Sequence, residues 1–396
     1  MNRRRLTHLL TAGAVAASLL AGCGGGGSDS SAIGTLRLSL TDAPACGYDN
    51  VFVTVEKVRV HKSGSASDSD NGWSEIVLAS PQRVDLLTLT NGTLLPLGQT
   101  ALPAGNYTQM RLVLSPNSSA APLANSIKPT GRPETALTTP SAAQSGLKMN
   151  VNIDVPADKI ADFAIDFDAC KSFVRAGNSG QYLLKPVLSV LPILSDAGLR
   201  IVGYVDASLV AAGTAISAQV GGLPVRSTPP DATGRFVLYP VPAGNVDLVI
   251  TAAGRVNAVM TGVPVVITAF TTIGSATARI STPVSANSYA ASGSITANGS
   301  LANTGGAVRA TQALTGGPTI EVGFVNADAT LGTYSLTLPA GAPAKLAYAS
   351  GATTFTFLAD ATDAGKYRLD ASATGFTART TDITLAANTA VSFVFP

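Results

Sequence analysis

The chain has 396 residues, of which only 13% are charged, and its formal net charge is +2. Three arginines, Arg3, Arg4 and Arg5, lie in the first 22 residues, so the rest of the chain carries 23 basic against 24 acidic residues. This balance lacks the basic surface that nucleic-acid binding requires, and the sequence therefore predicts no nucleic-acid partner.

The N-terminus has the three parts of an export signal. Its basic start is followed by an apolar run from Leu9 to Leu20, which is too short to cross a bilayer as a permanent helix. Because Leu-Ala-Gly directly precedes Cys23, the segment resembles the lipobox of bacterial lipoproteins. The resemblance implies a cleaved signal peptide at residues 1–22 and a lipid on Cys23. The alternative is an ordinary signal peptide with a cysteine there by chance.

A lipid on Cys23 would anchor the chain to a membrane, since each buried methylene contributes about 0.8 kcal/mol. Gly24, and not an aspartate, follows this cysteine, which favours the outer membrane by the usual lipoprotein sorting rule. Both a periplasmic and a surface-facing position stay open. Residues 23–33 are rich in glycine and serine and are expected to be a flexible tether.

Cys46 and Cys170 are the two cysteines that remain once Cys23 is lipidated. An even pair in an oxidising compartment predicts a disulfide bond. This bond would close a loop of 124 residues, for which the chain-entropy model gives roughly 4 to 5 kcal/mol. Two reduced, buried cysteines are the alternative.

Short runs of alternating apolar residues, separated by Gly, Pro and Asn, predict an all-β chain. The length fits two or three domains. We expect a β-sandwich-like domain at residues 34–195, followed by two small sandwiches of immunoglobulin or transthyretin type at residues 199–281 and 288–396.

The first domain shows a change of phase within one strand. Valines alternate from Val51 to Val55 and resume at Val58 in the opposite phase, which predicts a β-bulge near Glu56 and Lys57. Further strands are expected at residues 36–40, 84–89, 110–114, 147–155, 163–170 and 182–187, with a long excursion over residues 116–145.

Several of these segments carry a family resemblance. The shared pieces are Gly34 to Pro44, Val51 to His61, Leu102 to Tyr107, Asp166 to Ala169 with Ser172, and Leu184 to Pro186. In this order they look like the domain of unknown function 4382 of bacterial lipoproteins. The resemblance implies a domain boundary near residue 194 and no known activity.

The second domain has the phrase Asp231 to Leu238 followed by Val241 to Asn245. It is similar to carboxypeptidase regulatory-like, or transthyretin-like, modules, which are non-catalytic β-sandwiches. Strands are expected at residues 199–205, 215–220, 235–239, 246–252 and 265–268. The third domain restates this plan, and Val391 to Phe395 is expected to be a core strand.

Three aspartates form the candidate polar or cation site. Asp166 and Asp168 at positions i and i+2 of a strand would place both carboxylates on one face, about 7 Å apart, near Asp42. Such a group could hold a cation or a polar ligand. The favoured alternative is that the three residues cap backbone turns beside the disulfide and orient Thr41 and Ser172.

Other polar residues carry weaker signals. His61 is the only histidine after the signal segment, and a surface role is favoured for it. Asp68 to Gly72 begins like a calcium loop but lacks the distal glutamate, which favours a solvated hairpin loop. Trp73, the only tryptophan, is a candidate for sugar stacking, although a hairpin aromatic that covers the core is favoured.

Two functions follow from these features. The first is a non-enzymatic cell-envelope lipoprotein that binds a protein or glycan partner or acts as a spacer, with no cofactor and no resident metal. The second is a metal-assisted hydrolase centred on Asp42, Asp166 and Asp168.

Overall fold

The computed structural model describes residues 32–42, 47–139, 145–194, 197–210 and 213–396. The signal segment, Cys23, most of the tether and Cys46 lie outside these residues. The chain is all-β, with two four-residue helices, α1 (Ala169–Ser172) and α2 (Ala207–Val210), in its described part. It forms three units, and each unit packs two sheets around its own apolar core. No helix among the described residues is long or apolar enough to cross a membrane.

The first unit contains twelve strands. They are β1 (Ile33–Asp42), β2 (Tyr48–His61), β3 (Ser74–Asp85), β4 (Leu95–Pro103), β5 (Gly105–Leu114), β6 (Ser126–Pro129), β7 (Thr135–Thr138), β8 (Leu147–Val155), β9 (Ile160–Phe167), β10 (Phe173–Ala176), β11 (Gln181–Leu184) and β12 (Leu188–Pro192). One sheet has the order β12-β9-β1-β4, and the other runs β10-β11-β7-β6-β2-β5-β8 with β3 paired to β2. Buried leucines and valines from both sheets fill the space between them.

The predicted bulge is confirmed, because the register of β2 shifts between Val55 and Lys57 against both β3 and β5. The strand expected at residues 84–89 is wrong beyond Asp85. There the chain turns into a 3-10 helix at Leu86–Thr88, started by the Asp85 side chain, which accepts a hydrogen bond from the Leu87 amide. The helix buries Leu86 as a strand would, so the apolar pattern alone does not separate the two.

The second unit contains seven strands. They are β13 (Ile201–Tyr204), β14 (Ala215–Val220), β15 (Leu223–Thr228), β16 (Arg235–Leu238), β17 (Gly244–Thr251), β18 (Ala258–Val265) and β19 (Thr271–Ile273). Its small sheet has the order β16-β13-β19. The strand expected at 265–268 is wrong after Val265, because β18 ends there and residues 266–270 form a loop that exposes Val266, Ile267 and Phe270.

The third unit takes eight of the ten remaining strands, and β24 and β25 join the second unit. The ten are β20 (Ser288–Ala297), β21 (Ala307–Ala313), β22 (Thr319–Asn326), β23 (Thr333–Pro339), β24 (Ala344–Ala347), β25 (Leu358–Ala359), β26 (Lys366–Ser372), β27 (Arg379–Thr384), β28 (Thr389–Ala390) and β29 (Phe393–Phe395). Its sheets are β22-β21-β26-β27 and β23-β20 with β28 and β29. Phe393 and Phe395 are buried, which confirms the predicted core strand at the C-terminus.

One hairpin of this last segment belongs to the second unit. β24 pairs in parallel with β18, so the large sheet of the second unit has the order β15-β14-β17-β18-β24-β25. Ala344 and Phe357 lie in the second core. Residues 344–359 therefore complete a sandwich that otherwise ends some sixty residues earlier in the chain.

Candidate functional site

The three predicted aspartates meet at one end of the first unit. β1 and β9 are parallel, with Thr41 opposite Asp166 and Asp42 opposite Phe167. Asp42 is fully buried, and its Oδ1 accepts a hydrogen bond of 3.0 Å from the backbone amide of Ala169. The register of two parallel strands thus gathers residues that lie more than a hundred positions apart in the sequence.

Asp168 does not share a strand face with Asp166, because β9 ends at Phe167. Asp168 is the N-cap of α1, and its Oδ1 accepts a hydrogen bond of 3.1 Å from the Lys171 amide. Burial raises the pKa of this carboxyl from 3.8 to about 6. The positive charge of Lys171 lowers the pKa, while the negative charges of Asp166 and Glu321 raise it.

Asp166 is paired with a cation from another unit. Arg226 of β15 is 2% exposed and forms an ion pair with Asp166, which is 8% exposed. The same guanidinium donates to the Asp42 carbonyl at 3.0 Å and to the Tyr239 carbonyl at 3.1 Å, and also to the Thr41 hydroxyl. The predicted carboxylate site is therefore a joint between the first and second units.

The sequence prediction missed Arg226, although one signal points to it. Arg226 is the only charged residue between positions 207 and 230. It lies in β15, a strand that the sequence reading also missed. A lone charge within an apolar strand is expected to find a buried partner, because an unpaired buried charge is costly.

A second joint brings all three units together at Glu321 of β22. Its carboxylate accepts hydrogen bonds from Lys171 of α1 at 2.7 Å and from Arg309 of β21 at 2.6 Å. Its backbone pairs with the Gln219 side chain of β14, which accepts from the Glu321 amide at 2.9 Å and donates to the Glu321 carbonyl at 2.8 Å. A cavity of about 240 Å³ lies here, lined in part by Asp168 and Cys170.

Further contacts join the first and third units directly. Asp328 accepts hydrogen bonds of 2.8 and 2.9 Å from the Gly177 amide, and the Asn326 side chain donates to the Lys171 carbonyl at 2.7 Å. The ammonium group of Lys185 donates to the Gly305 carbonyl at 2.6 Å. Each unit therefore contacts both of the others.

The capping role that was favoured for the aspartates agrees with these contacts for Asp42 and Asp168, but Asp166 does something else. Ser172 accepts a hydrogen bond from the Val187 amide at 2.8 Å, and Thr41 donates to the Thr93 carbonyl at 2.9 Å. No group of three His, Cys, Asp or Glu residues in the described ranges is placed to hold a metal ion. The metal-assisted hydrolase stays a prediction that no observation favours.

Cys170 lies in α1, and Cys46 lies outside the described residues. The Cys46–Cys170 disulfide therefore stays a prediction. Lipidation of Cys23 also falls on residues outside the described ranges.

The weaker candidates lie together at the hairpin between β2 and β3, with His61 at the end of β2 and Asp68 and Trp73 on the loop. Asp68 forms ion pairs with Arg59 and Arg111, and the guanidinium carbons of these arginines lie 4.5 and 4.7 Å from the ring centre of Trp73. His61 accepts a hydrogen bond from the Ser63 amide at its Nδ1. Protein partners thus hold the loop side chains, and the indole of Trp73 packs against arginines.

Asp70 of the same loop is held by Ser67. The Ser67 amide donates to its carboxylate at 2.9 Å, and the Ser67 hydroxyl donates as well, which together lower the pKa of Asp70. This carboxylate therefore stabilises the turn of its own loop, in agreement with the predicted hairpin loop.

Comparison with known proteins supports the family resemblance of the first unit. Residues 33–186, less than half of the chain, match the family model described as a domain of unknown function, DUF4382. The matched range ends before β12. No curated protein matches the chain.

Two solved structures show weak similarity. One is a type II cohesin–X-dockerin complex from Acetivibrio cellulolyticus, with 18% identity over 27% of this chain and 66% of that chain, just under two thirds, at a TM-score of 0.19. The other is a streptococcal ancillary pilin, with 10% identity over 92% of this chain and 99% of that chain, also at a TM-score of 0.19. At these scores neither similarity carries an argument.

Proposed function

We propose that this chain is a non-enzymatic cell-envelope lipoprotein that presents a fixed platform of three β-units to a protein or glycan partner. The observation that carries the proposal is the way the units are joined. Arg226 pairs with Asp166 between the second and first units, Lys171 pairs with Glu321 between the first and third units, and the Gln219 side chain bonds the Glu321 backbone between the second and third units. Of the three predicted carboxylates, Asp166 thus joins the first unit to the second.

A platform of this kind suits binding better than it suits a flexible spacer. Partner surfaces that are fixed before binding lose less conformational freedom on association. We propose further that the second and third units are carboxypeptidase regulatory-like modules, in keeping with their sequence motifs and their paired sheets. In this proposal the lipid on Cys23 and the tether after it hold the platform at the outer membrane, on the periplasmic or the outer face.

Replacement of the lipid-bearing residue tests the anchor. We expect Cys23→Ala to move the protein from the membrane fraction to the soluble fraction, because the acyl chains supply the binding energy. Wild type should incorporate labelled palmitate, and Ser28→Ala, a matched change in the tether, should stay with the membrane. A Cys23→Ala variant that remains membrane-bound would contradict the proposal.

Peptide mapping tests the proposed disulfide. Mass spectrometry of a non-reduced digest of the purified protein should show Cys46 joined to Cys170. Two free thiols in the unfolded, unreduced protein would refute this bond and leave the lipid proposal untouched.

A further inference from the structure

A groove on the second unit is not used by any of the joints described above. It lies where β19 and the turn after it face the loop between β24 and β25, and it has a volume of about 410 Å³. One wall is formed by β19 and the turn after it. The other is formed by the loop of the β24–β25 hairpin, which comes from later in the chain. Both walls are held by strand pairing, since β19 pairs with β13 and β24 pairs with β18.

Two aromatic side chains line this groove. Phe270 is 57% exposed, and its neighbours Val266 and Ile267 in the same loop are also exposed, so its ring is accessible to a ligand. Tyr348 is half-buried and packs against the second core, so its position is set by the fold. The groove thus presents one solvent-exposed ring, Phe270, and one ring that the core holds in place, Tyr348.

Hydroxyl groups supply most of the polar lining. Thr272, Ser350 and Thr353 line the groove, and no hydrogen bond joins their hydroxyls to another residue in the described part of the chain. Ser275 differs, because its hydroxyl accepts from the Ala278 amide at 3.1 Å within its own turn. Three hydroxyls are therefore available, and each can donate and accept.

No charged side chain lines the groove. The nearest arginine in sequence, Arg279, donates to the carbonyls of Val205, Thr233 and Ala276 at 3.1, 2.6 and 2.9 Å. A ligand of net charge would find no counter-ion among the lining residues, so the lining favours a neutral ligand.

The close approach of the two walls depends on a glycine. Gly274 has a φ of +70°, and a Cβ at this position would lie 2.3 Å from the Ala278 carbonyl oxygen and 3.1 Å from the ring of Phe355. Only glycine permits this turn to pack so closely on the hairpin loop. The groove is therefore formed before any ligand arrives.

We propose that this groove binds a neutral oligosaccharide. The apolar face of a sugar ring would stack on Phe270 and Tyr348, and the sugar hydroxyls would bond to Thr272, Ser350 and Thr353. An extended peptide fits less well, because β19 offers an edge of only three residues for strand pairing. The inference rests on the proposed binding function and names the class of ligand.

Calorimetric titration of the detergent-solubilised full chain tests this assignment. The probes are maltohexaose, cellohexaose and mannohexaose, with polygalacturonate as an acidic comparison. We expect at least one neutral hexasaccharide to bind with an affinity that salt does not change, since no ion pair forms.

Variants locate the binding to the groove. Phe270→Ala should weaken affinity about tenfold, the loss that corresponds to about 1.4 kcal/mol. Thr272→Val should weaken it with little change of shape. Leu358→Ala, a matched change at a residue that is 67% exposed on the same hairpin and outside the groove, should bind as wild type. Unchanged thermal unfolding would show that Phe270→Ala still folds.

Three outcomes would overturn the inference. They are the absence of binding to all neutral probes, salt-dependent binding of polygalacturonate alone, and wild-type affinity in Phe270→Ala. If Cys23→Ala is released from membranes while no neutral probe binds, the glycan assignment fails and the lipoprotein proposal stands.

Discussion

The two joints differ in depth and in the number of partners. At the first joint Arg226 faces Asp166, and the two side chains are 1% and 11% exposed. At the second joint Glu321 is 7% exposed, but its partners Lys171 and Arg309 are 19% and 26% exposed. The first joint relies on one deeply buried cation, whereas the second shares its charge among several groups that water also reaches.

This difference sets what each joint tolerates. Removing one member of a buried pair leaves the other charge without solvent or counter-ion, which is strongly destabilising. A partly exposed network can lose one member, because water and neighbouring charges screen those that remain. Similar-looking ion pairs therefore carry unequal shares of the attachment between units.

Removal of the buried cation should have the largest effect. We expect Arg226→Met to lower the free energy of unfolding by about 4 kcal/mol, because Asp166 is left buried and unpaired. Urea unfolding at pH 7 measures this loss. The double variant Arg226→Met with Asp166→Leu should recover much of it, and a single-variant loss below about 1 kcal/mol would contradict the account.

Titration of Asp168 should have the next largest effect. Its pKa is raised from 3.8 to about 6, so the folded state holds the proton more tightly than the unfolded state does. Stability should therefore fall as the pH rises from about 4 to about 6, and the full cost should persist above that range. The side chain keeps 23% exposure, so we expect a cost of about 2 kcal/mol.

The variant Asp168→Asn separates this titration from the others. Asparagine can still cap α1 through its side-chain oxygen, but it carries no charge. Unfolding measured at pH 5 and pH 7.5 should show a smaller pH dependence in the variant than in wild type. Equal pH dependence in both proteins would assign the effect to another group.

Neutralising Glu321 at the second joint should have the smallest effect. We expect Glu321→Gln to cost about 1 kcal/mol and less at high salt, because Lys171 stays 3.9 Å from Asp168 and Arg309 stays 3.6 Å from Asp370. Asp382→Asn, a control in an exposed pair with Arg368, should leave urea unfolding unchanged. A loss of unfolding free energy as large as that of Arg226→Met would contradict the proposed difference between the two joints.

Strand periodicity predicted the fold best where one face is buried and the other is not. Residues 147–155 alternate cleanly and form β8 as predicted, and the phase change after Val55 located the bulge. Period-two reading failed at Leu86 and at Val266, where apolar residues lie in a 3-10 helix and an exposed loop. Apolar character alone does not tell a strand from such segments.

The candidate site was predictable in its members and not in its counter-ion. The sequence grouped Asp42 with Asp166 and Asp168, and the structure shows that the parallel pairing of β1 and β9 is what brings Asp42 and Asp166 together. Arg226 comes from another unit 60 residues after Asp166, and its approach depends on how two sandwiches pack. Local sequence carries no information on that packing.

The β24–β25 hairpin, which completes the second unit from later in the chain, gives the chain an order of assembly. Synthesis proceeds from the N-terminus, and β18 cannot gain its neighbour β24 until residues 344–347 have been made. Until then the second sandwich lacks Phe357 from its core and keeps an open strand edge. The two C-terminal units therefore mature together, and a premature stop before residue 344 would also leave the second one unfinished.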